Sequence, residues 1–112
     1  MNTEQKFATE DTQRWIGLAN VRPVVGNDLL AGARGAFVAV IGDAINESTF
    51  LALVERGADE LDFEVVSLED VELVSCRTKE HPLPDDLVAA LSDLSPSSPI
   101  AFGSFHSYRE LD

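Results

Sequence analysis

An amphipathic helix flanked on each side by an apolar strand restricts the fold of this chain more than any other feature. Residues 36–41 are uniformly apolar, which is typical of a strand covered on both faces. Asn46 is suited to cap a helix, and Glu47 is suited to its first turn. The apolar positions that follow have the spacing of one buried helical stripe: Phe50, Leu53, Val54, Gly57, Ala58 and Leu61. Residues 63–68 are again rich in apolar and β-branched side chains, so we expect a parallel pair of strands joined by a right-handed crossover.

The outer parts of the chain add two strands and a second helix. Residues 14–25 alternate as a strand does, and Pro23 favours the end of that strand or an edge of the sheet. Pro84 is suited to the first position of a helix whose buried face would carry Leu87, Ala90, Leu91 and Leu94. A run of serines and prolines ends that helix, and residues 100–105 then predict the last strand.

Together these elements predict an α+β domain with the order β-β-α-β-(β)-α-β. Residues 71–76 extend the strand after the first helix, and Glu69 with Asp70 either bend that strand through a bulge or separate two short strands. We therefore expect a mixed sheet of about four to five strands covered by two helices. Its layers are similar to those of a ferredoxin-like two-layer sandwich, although the opening hairpin departs from the usual ferredoxin-like order.

The length of 112 residues corresponds to one domain. We expect this domain to span residues 13–108, after a flexible N-terminal tail at residues 1–12 and before a polar C-terminal end at residues 109–112. The N-terminal residues lack the apolar stretch of a signal peptide. The single cysteine, Cys76, cannot form an intrachain disulfide, so we expect a cytoplasmic protein.

Negative charge is the strongest compositional signal. The formal net charge is −12, and residues 57–76 contain no lysine or arginine. Phosphate backbones and anionic lipids are bound through lysine and arginine, so this charge argues against nucleic-acid and membrane partners. A basic protein would instead be attracted to it.

The first functional hypothesis is therefore a protein-binding module of the inhibitor or immunity type. It would dock a basic partner protein through an acidic surface. The residues expected to form this surface are Asp62, Glu64, Glu69, Asp70 and Glu72. Solubility, together with protection of an exposed strand edge, is the alternative use of the same charges.

The second hypothesis is a small-molecule-binding protein or enzyme with a pocket between sheet and helices. Its candidate pocket residues are Asp43, at the end of a predicted strand, and His106 and Tyr108 near the C-terminus. No pair of residues has the sequence spacing of a known catalytic motif, so we assign no catalytic residue and no cofactor. We therefore favour a binding protein over an enzyme. Cys76, His81 and His106 are too few for a structural zinc site, so no metal ligand is assigned.

Aromatic residues indicate two further surfaces. Phe102, Phe105 and His106 lie close together near the C-terminus, where they would form a recognition patch. The alternative is that the two phenylalanines cover the core from opposite faces of the last strand. Trp15 and Ile16 in the opening strand would anchor a homodimer, if the chain forms one.

Overall fold

The structure is an antiparallel sheet with helices on both of its faces. The computed structural model describes residues 12–28 and 30–108, so residues 1–11 of the predicted tail and the polar end at 109–112 lie outside the described residues. The described elements, in chain order, are β1 (Gln13–Pro23), β2 (Gly35–Ala44), α1 (Glu47–Glu60), β3 (Phe63–Leu73), α2 (Val74–Arg77), α3 (Asp85–Leu91) and β4 (Ile100–Tyr108). The longest of the described helices has 14 residues, and none of them has the length and apolar character needed to cross a membrane.

The strands lie in the order β3-β1-β2-β4, and every neighbouring pair is antiparallel. The α+β class is confirmed, but the predicted mixed sheet is wrong. The strands on either side of α1 do run in the same direction, yet the β1–β2 hairpin places β1 between them, so they do not pair. This order and the three described helices do not confirm the ferredoxin-like sandwich with two helices.

The central position of β1 also contradicts the predicted homodimer contact. This strand is hydrogen-bonded on both sides, which leaves no free edge for a second copy. Ile16 is 1% exposed, and Trp15 stacks on Phe50 with ring centroids 6.5 Å apart. Both side chains are therefore used inside the domain.

Helix α1 covers one face of the sheet, as its apolar stripe predicts. Asn46 caps the helix, because its side-chain oxygen accepts a hydrogen bond of 2.8 Å from the Thr49 amide. Phe50, Val54 and Ala58 are fully buried in the main core, where they join the side chains that β2 directs to this face: Ala36, Val38, Val40 and Ala44. The cap and the spacing together account for where the helix begins and which side it buries.

The opposite face of the sheet has a smaller core under α2 and α3. Ile41, Ala90 and Ala101 are buried there, and Val74, Leu83, Leu91 and Leu94 pack around them. Ile41 and Val40 are adjacent in β2 and so point to opposite faces. The two faces of β2 thus belong to two separate cores, and only one end of the second face is covered.

The strand after α1 differs from its prediction at one end. We expected residues 71–76 to be extended, but β3 ends at Leu73 and α2 follows at once. Cys76 is consequently exposed on a short helix and does not end a strand. Val74 is drawn into the smaller core, which favours the turn at this point.

The alternative left open at Glu69 and Asp70 is settled in favour of one bent strand. β3 is continuous over 11 residues, and its pairing with β1 shifts between the pairs Ile16–Glu72 and Leu18–Glu69. Two residues of β3 therefore face one residue of β1 at this point, and Asp70 takes a φ of 56°. A bulge of this kind bends a strand without ending it.

A bulge in β4 decides the positions of the aromatic residues in this strand. Phe102 pairs with Val40 and Phe105 with Val38, so both phenylalanines lie on the α1 face, with ring centroids 6.1 Å apart. The prediction that they cover opposite faces is wrong. Two residues of β4, Gly103 and Ser104, occupy the space of one, which reverses the alternation beyond them.

Candidate functional site

The part of the second sheet face that α2 and α3 leave uncovered is the candidate functional site. Residues directly opposite each other in antiparallel strands share a face, so the pairing places these side chains in two cross-strand rows. The rows contain Ser67, Asn20, Phe37 and His106, and then Glu69, Leu18 and Ala39. We call these seven residues the open face; Glu64, Arg22 and Tyr108 border it.

Aromatic rings form the centre of the open face. Phe37 is 40% exposed, and its ring lies 5.3 Å from that of Tyr108. The Tyr108 hydroxyl donates a hydrogen bond of 2.7 Å to the side-chain oxygen of Asn20, two strands away. The tyrosine ring therefore crosses β2, and the hydrogen bond fixes it beside Phe37.

Gly35 provides the space for this crossing. A Cβ atom at this position would lie 2.5 Å from the Tyr108 hydroxyl and 2.7 Å from the backbone oxygen of Val21. Neither contact is tolerated by a real Cβ atom, and the second involves backbone that is held in the sheet. Gly35 is therefore required by close packing.

We expect Gly35→Ala to lower the free energy of unfolding by about 1–3 kcal/mol, the usual cost of overpacking. Urea unfolding measures this change, and the near-ultraviolet circular dichroism of Tyr108 should change with it. Gly17→Ala is the matched control, because a Cβ there would approach only side-chain atoms, at 3.1 Å or more. Equal losses for the two variants would contradict the proposed packing.

The five predicted acidic residues are divided between different environments. Glu64 and Glu69 are exposed, opposite Arg22 and Leu18 respectively, so they lie on the same side of the sheet as Phe37. Glu72 lies farther along this side of β3 and forms an ion pair with Arg77.

Asp62 and Asp70 occupy positions where the backbone takes an unusual conformation, which their charge alone does not predict. Both adopt left-handed conformations, with φ of 63° and 56°. Aspartate and asparagine accept this conformation more readily than most residues with a side chain. The acidic residues at these two positions are thus explained by the turn after α1 and by the bulge in β3.

The three predicted pocket residues do not meet. Asp43 lies within β2 and receives two hydrogen bonds from the Arg14 guanidinium, of 2.8 and 3.1 Å. This hydrogen bonding to Asp43 raises the pKa of Arg14 above its ordinary value. Asp43 lies six positions along β2 from Phe37, the partner of His106, which corresponds to about 20 Å. Asp43 lines a cavity of about 450 Å³ next to Leu94, whereas His106 lines a different cavity.

That second cavity adjoins the open face beside α3, and its volume is about 370 Å³. We call it the Asp86 pocket; its lining includes Leu18, Ala39, Pro84, Leu87 and His106 as well as Asp86 and Ser104. The Ser104 amide donates a hydrogen bond of 2.9 Å to Oδ2 of Asp86. This bond lowers the pKa of the Asp86 carboxyl below its ordinary value, so the group is ionised at neutral pH.

Asp86 is not among the predicted site residues, because an acid in the first turn of a helix is already explained by the helix dipole. The amide of Ser104 lies at the bulge in β4 and donates its hydrogen bond to Asp86. A Cβ atom at Gly103 would lie 2.9 Å from Oδ2 of Asp86, so the small residue permits this approach. The pattern Gly-Ser within a strand was the available signal, since glycine in a strand often marks a bulge.

Within residues 12–28 and 30–108, no three histidine, cysteine, aspartate or glutamate side chains are grouped so as to hold a metal ion. Comparison with family models, curated proteins and solved structures found no match. A functional proposal for this chain therefore depends on the geometry of its surfaces.

Proposed function

We propose that this protein is a binding module of the inhibitor or immunity type, which docks a basic partner protein through the open face. The observation that carries the proposal is an aromatic centre with carboxylates on two sides. Glu64 and Glu69 belong to β3 on one side, and Asp85 and Asp86 lie at the start of α3 on the other.

This arrangement of residues is similar to that of a protein–protein interface. Interfaces have an aromatic or aliphatic centre that is desolvated on binding, surrounded by polar residues that remain partly hydrated. Phe37 would supply the central contact, because its exposed ring is already supported by Tyr108 and needs little further ordering. Pre-ordering of this kind reduces the entropic cost of association.

Charge determines the class of partner. The net charge of −12 would attract a basic protein over a distance of about 10 Å at moderate salt, and this attraction would speed the encounter. Among the described residues that we define as the open face and its border, Arg22 is the cation, and it lies opposite Glu64. The carboxylates of Glu64 and Glu69 therefore outnumber it. A negatively charged partner would be repelled.

We further propose the cytoplasm as the location of the protein. Cys76 is a free thiol on the surface. Thiols of this kind are typical of reducing compartments, where they are not oxidised to disulfides.

The proposal is tested by capturing a partner from an extract of the source organism, identifying it, and measuring the association of the two purified proteins. We expect Glu64→Gln combined with Glu69→Gln to slow association about tenfold at low salt, because rim charges act mainly on the encounter. The effect should shrink as salt is raised. Phe37→Ala should instead speed dissociation about tenfold or more, since it removes the central contact.

A matched control separates a local effect from a change in net charge. Glu55→Gln combined with Asp59→Asn removes the same charge from exposed positions of α1, on the other face of the sheet. This variant should associate nearly as fast as the unchanged protein. The proposal is refuted if no purified protein binds saturably, or if the control slows association as much as the open-face variant does.

A further inference from the structure

We propose that the Asp86 pocket is the specificity site of the open face and that it binds the side chain of an arginine from the basic partner. This inference deepens the proposed function and rests on it. It names the chemical group that the partner must present and the place where that group binds.

The walls of the pocket suit the aliphatic part of an arginine. Leu18 and Ala39 belong to the sheet, Pro84 caps α3 and Leu87 lies in its first turn, so the sheet and the helix both contribute apolar residues to the lining. The volume of about 370 Å³ lies in the range of small-ligand pockets, which is about 300–1,000 Å³. Burial of the methylene groups would supply the apolar part of the binding free energy.

The carboxylate of Asp86 suits the guanidinium group. Its hydrogen bond with the Ser104 amide holds it at the pocket, so little side-chain freedom is lost on binding. A carboxylate has about four acceptor positions. The Ser104 hydroxyl and the backbone amides of Asp86 and Leu87 also help to lower the pKa of this carboxyl, but among the described residues the Ser104 amide is the donor with full hydrogen-bond geometry, and it binds Oδ2. Acceptor positions on Oδ1 therefore remain for a cation that enters from the open face.

Arginine fits better than lysine for two reasons. A guanidinium forms paired hydrogen bonds with a carboxylate, whereas an ammonium acts as a point charge. A guanidinium is also planar and stacks on flat rings, and His106 is among the residues that line this pocket. Phe37, directly opposite His106 on β2, extends the aromatic surface outside it.

The test is a titration of the ¹⁵N-labelled full chain with N-acetylarginine amide, followed by the amide shifts of Ala39, Leu87 and Ser104. We expect weak but saturable binding at these residues. N-acetylcitrulline amide, which has the same shape without the charge, should bind about tenfold more weakly or worse, because hydrogen bonds to charged groups are the stronger ones. N-acetyllysine amide should also bind more weakly than the arginine compound.

Two variants locate the effect. Asp86→Asn keeps an acceptor for the Ser104 amide but removes the charge, and we expect it to reduce arginine binding about tenfold. Asp93→Asn removes an equal charge from an exposed residue just after α3, which does not line the pocket, and should leave binding nearly unchanged. Ala39→Leu fills the floor of the pocket and should abolish binding with Asp86 intact, which guards against an Asp86 variant that misfolds.

Three outcomes would overturn the inference: shifts that do not saturate, equal binding of the citrulline or lysine compound, or arginine binding that survives both Asp86→Asn and Ala39→Leu. These results are separable from a failure of the proposed function. If the arginine compound fails while the Glu64 and Glu69 variants still slow partner association, only the pocket assignment is wrong. If the compound binds as expected while the control on α1 slows association equally, the docking face is wrong and the pocket stands.

Discussion

Replacing Phe50 with alanine should lower the free energy of unfolding by about 3–5 kcal/mol, the usual cost of deleting a buried aromatic ring. Phe50 is fully buried in the main core, where it stacks on Trp15. Its ring also lies close to two glycines of the sheet. A Cβ atom added at Gly17 would be 3.4 Å from the Phe50 ring, and one added at Gly42 would be 3.2 Å from it. The ring thus contacts two strands at once, and its removal would leave a cavity that the sheet cannot close.

Urea unfolding of Phe50→Ala measures this loss, and Leu51→Ala in the same helix is the control. Leu51 is 39% exposed, so its truncation should cost much less. A domain of this size is usually stable by about 5–15 kcal/mol, so a loss of this size removes a large part of the free energy of unfolding. Comparable losses for the two variants would show that α1 does not pack through the predicted stripe.

Replacing Ile41 with alanine should cost about 2–5 kcal/mol, the range for a buried aliphatic side chain. Ile41 is fully buried and forms the centre of the smaller core with Ala90 and Ala101. The other two buried members of this core are alanines, which are too small to fill the space left by the lost side chain. The effect should reach α3, because the buried side of that helix rests on this core.

Hydrogen exchange distinguishes this local effect from a general loss of stability. In Ile41→Ala, the amides of α3 should exchange faster than those of α1, since each helix packs on its own core. Val88→Ala changes the exposed side of α3, where the side chain is 52% exposed, and should leave its protection nearly unchanged. Uniform acceleration throughout the chain would contradict the division into two cores.

The smaller core supports the open face, because it lies on the same side of the sheet and ends where the open face begins. Leu87 of α3 is buried near this boundary and lines the Asp86 pocket. A variant that loosens α3 should therefore also disturb the pocket. For this reason the substitutions that test the pocket leave Ile41 unchanged.

The candidate site was only partly accessible from the sequence. Glu64 and Glu69 were identified as partner-binding candidates from charge alone, and His106 as a candidate from its position near the C-terminus. No pattern in the chain indicates that they share one side of a sheet, because β3 and β4 are its opposite edges and β1 and β2 lie between them. Asp86 was missed because its partner is the amide of Ser104, which lies at a bulge in β4.

Local order was determined by the sequence. The buried stripe of α1 and its Asn46 cap follow from spacing and hydrogen-bonding capacity, which act over a few residues. The alternation of β1 and the apolar run of β2 likewise follow from patterns within each segment. Each of these features depends on residues that are close together in the chain.

Pairing and register were decided only by the tertiary structure. The insertion of β1 between β2 and β3 depends on contacts between residues far apart in the chain, and many strand orders bury the same apolar residues. The bulges at Asp70 and at Gly103 to Ser104 each move one residue out of register, and one such shift changes the face on which every later side chain lies. That is why composition and local patterns could predict an acidic α+β protein, while the open face and the Asp86 pocket required the folded sheet.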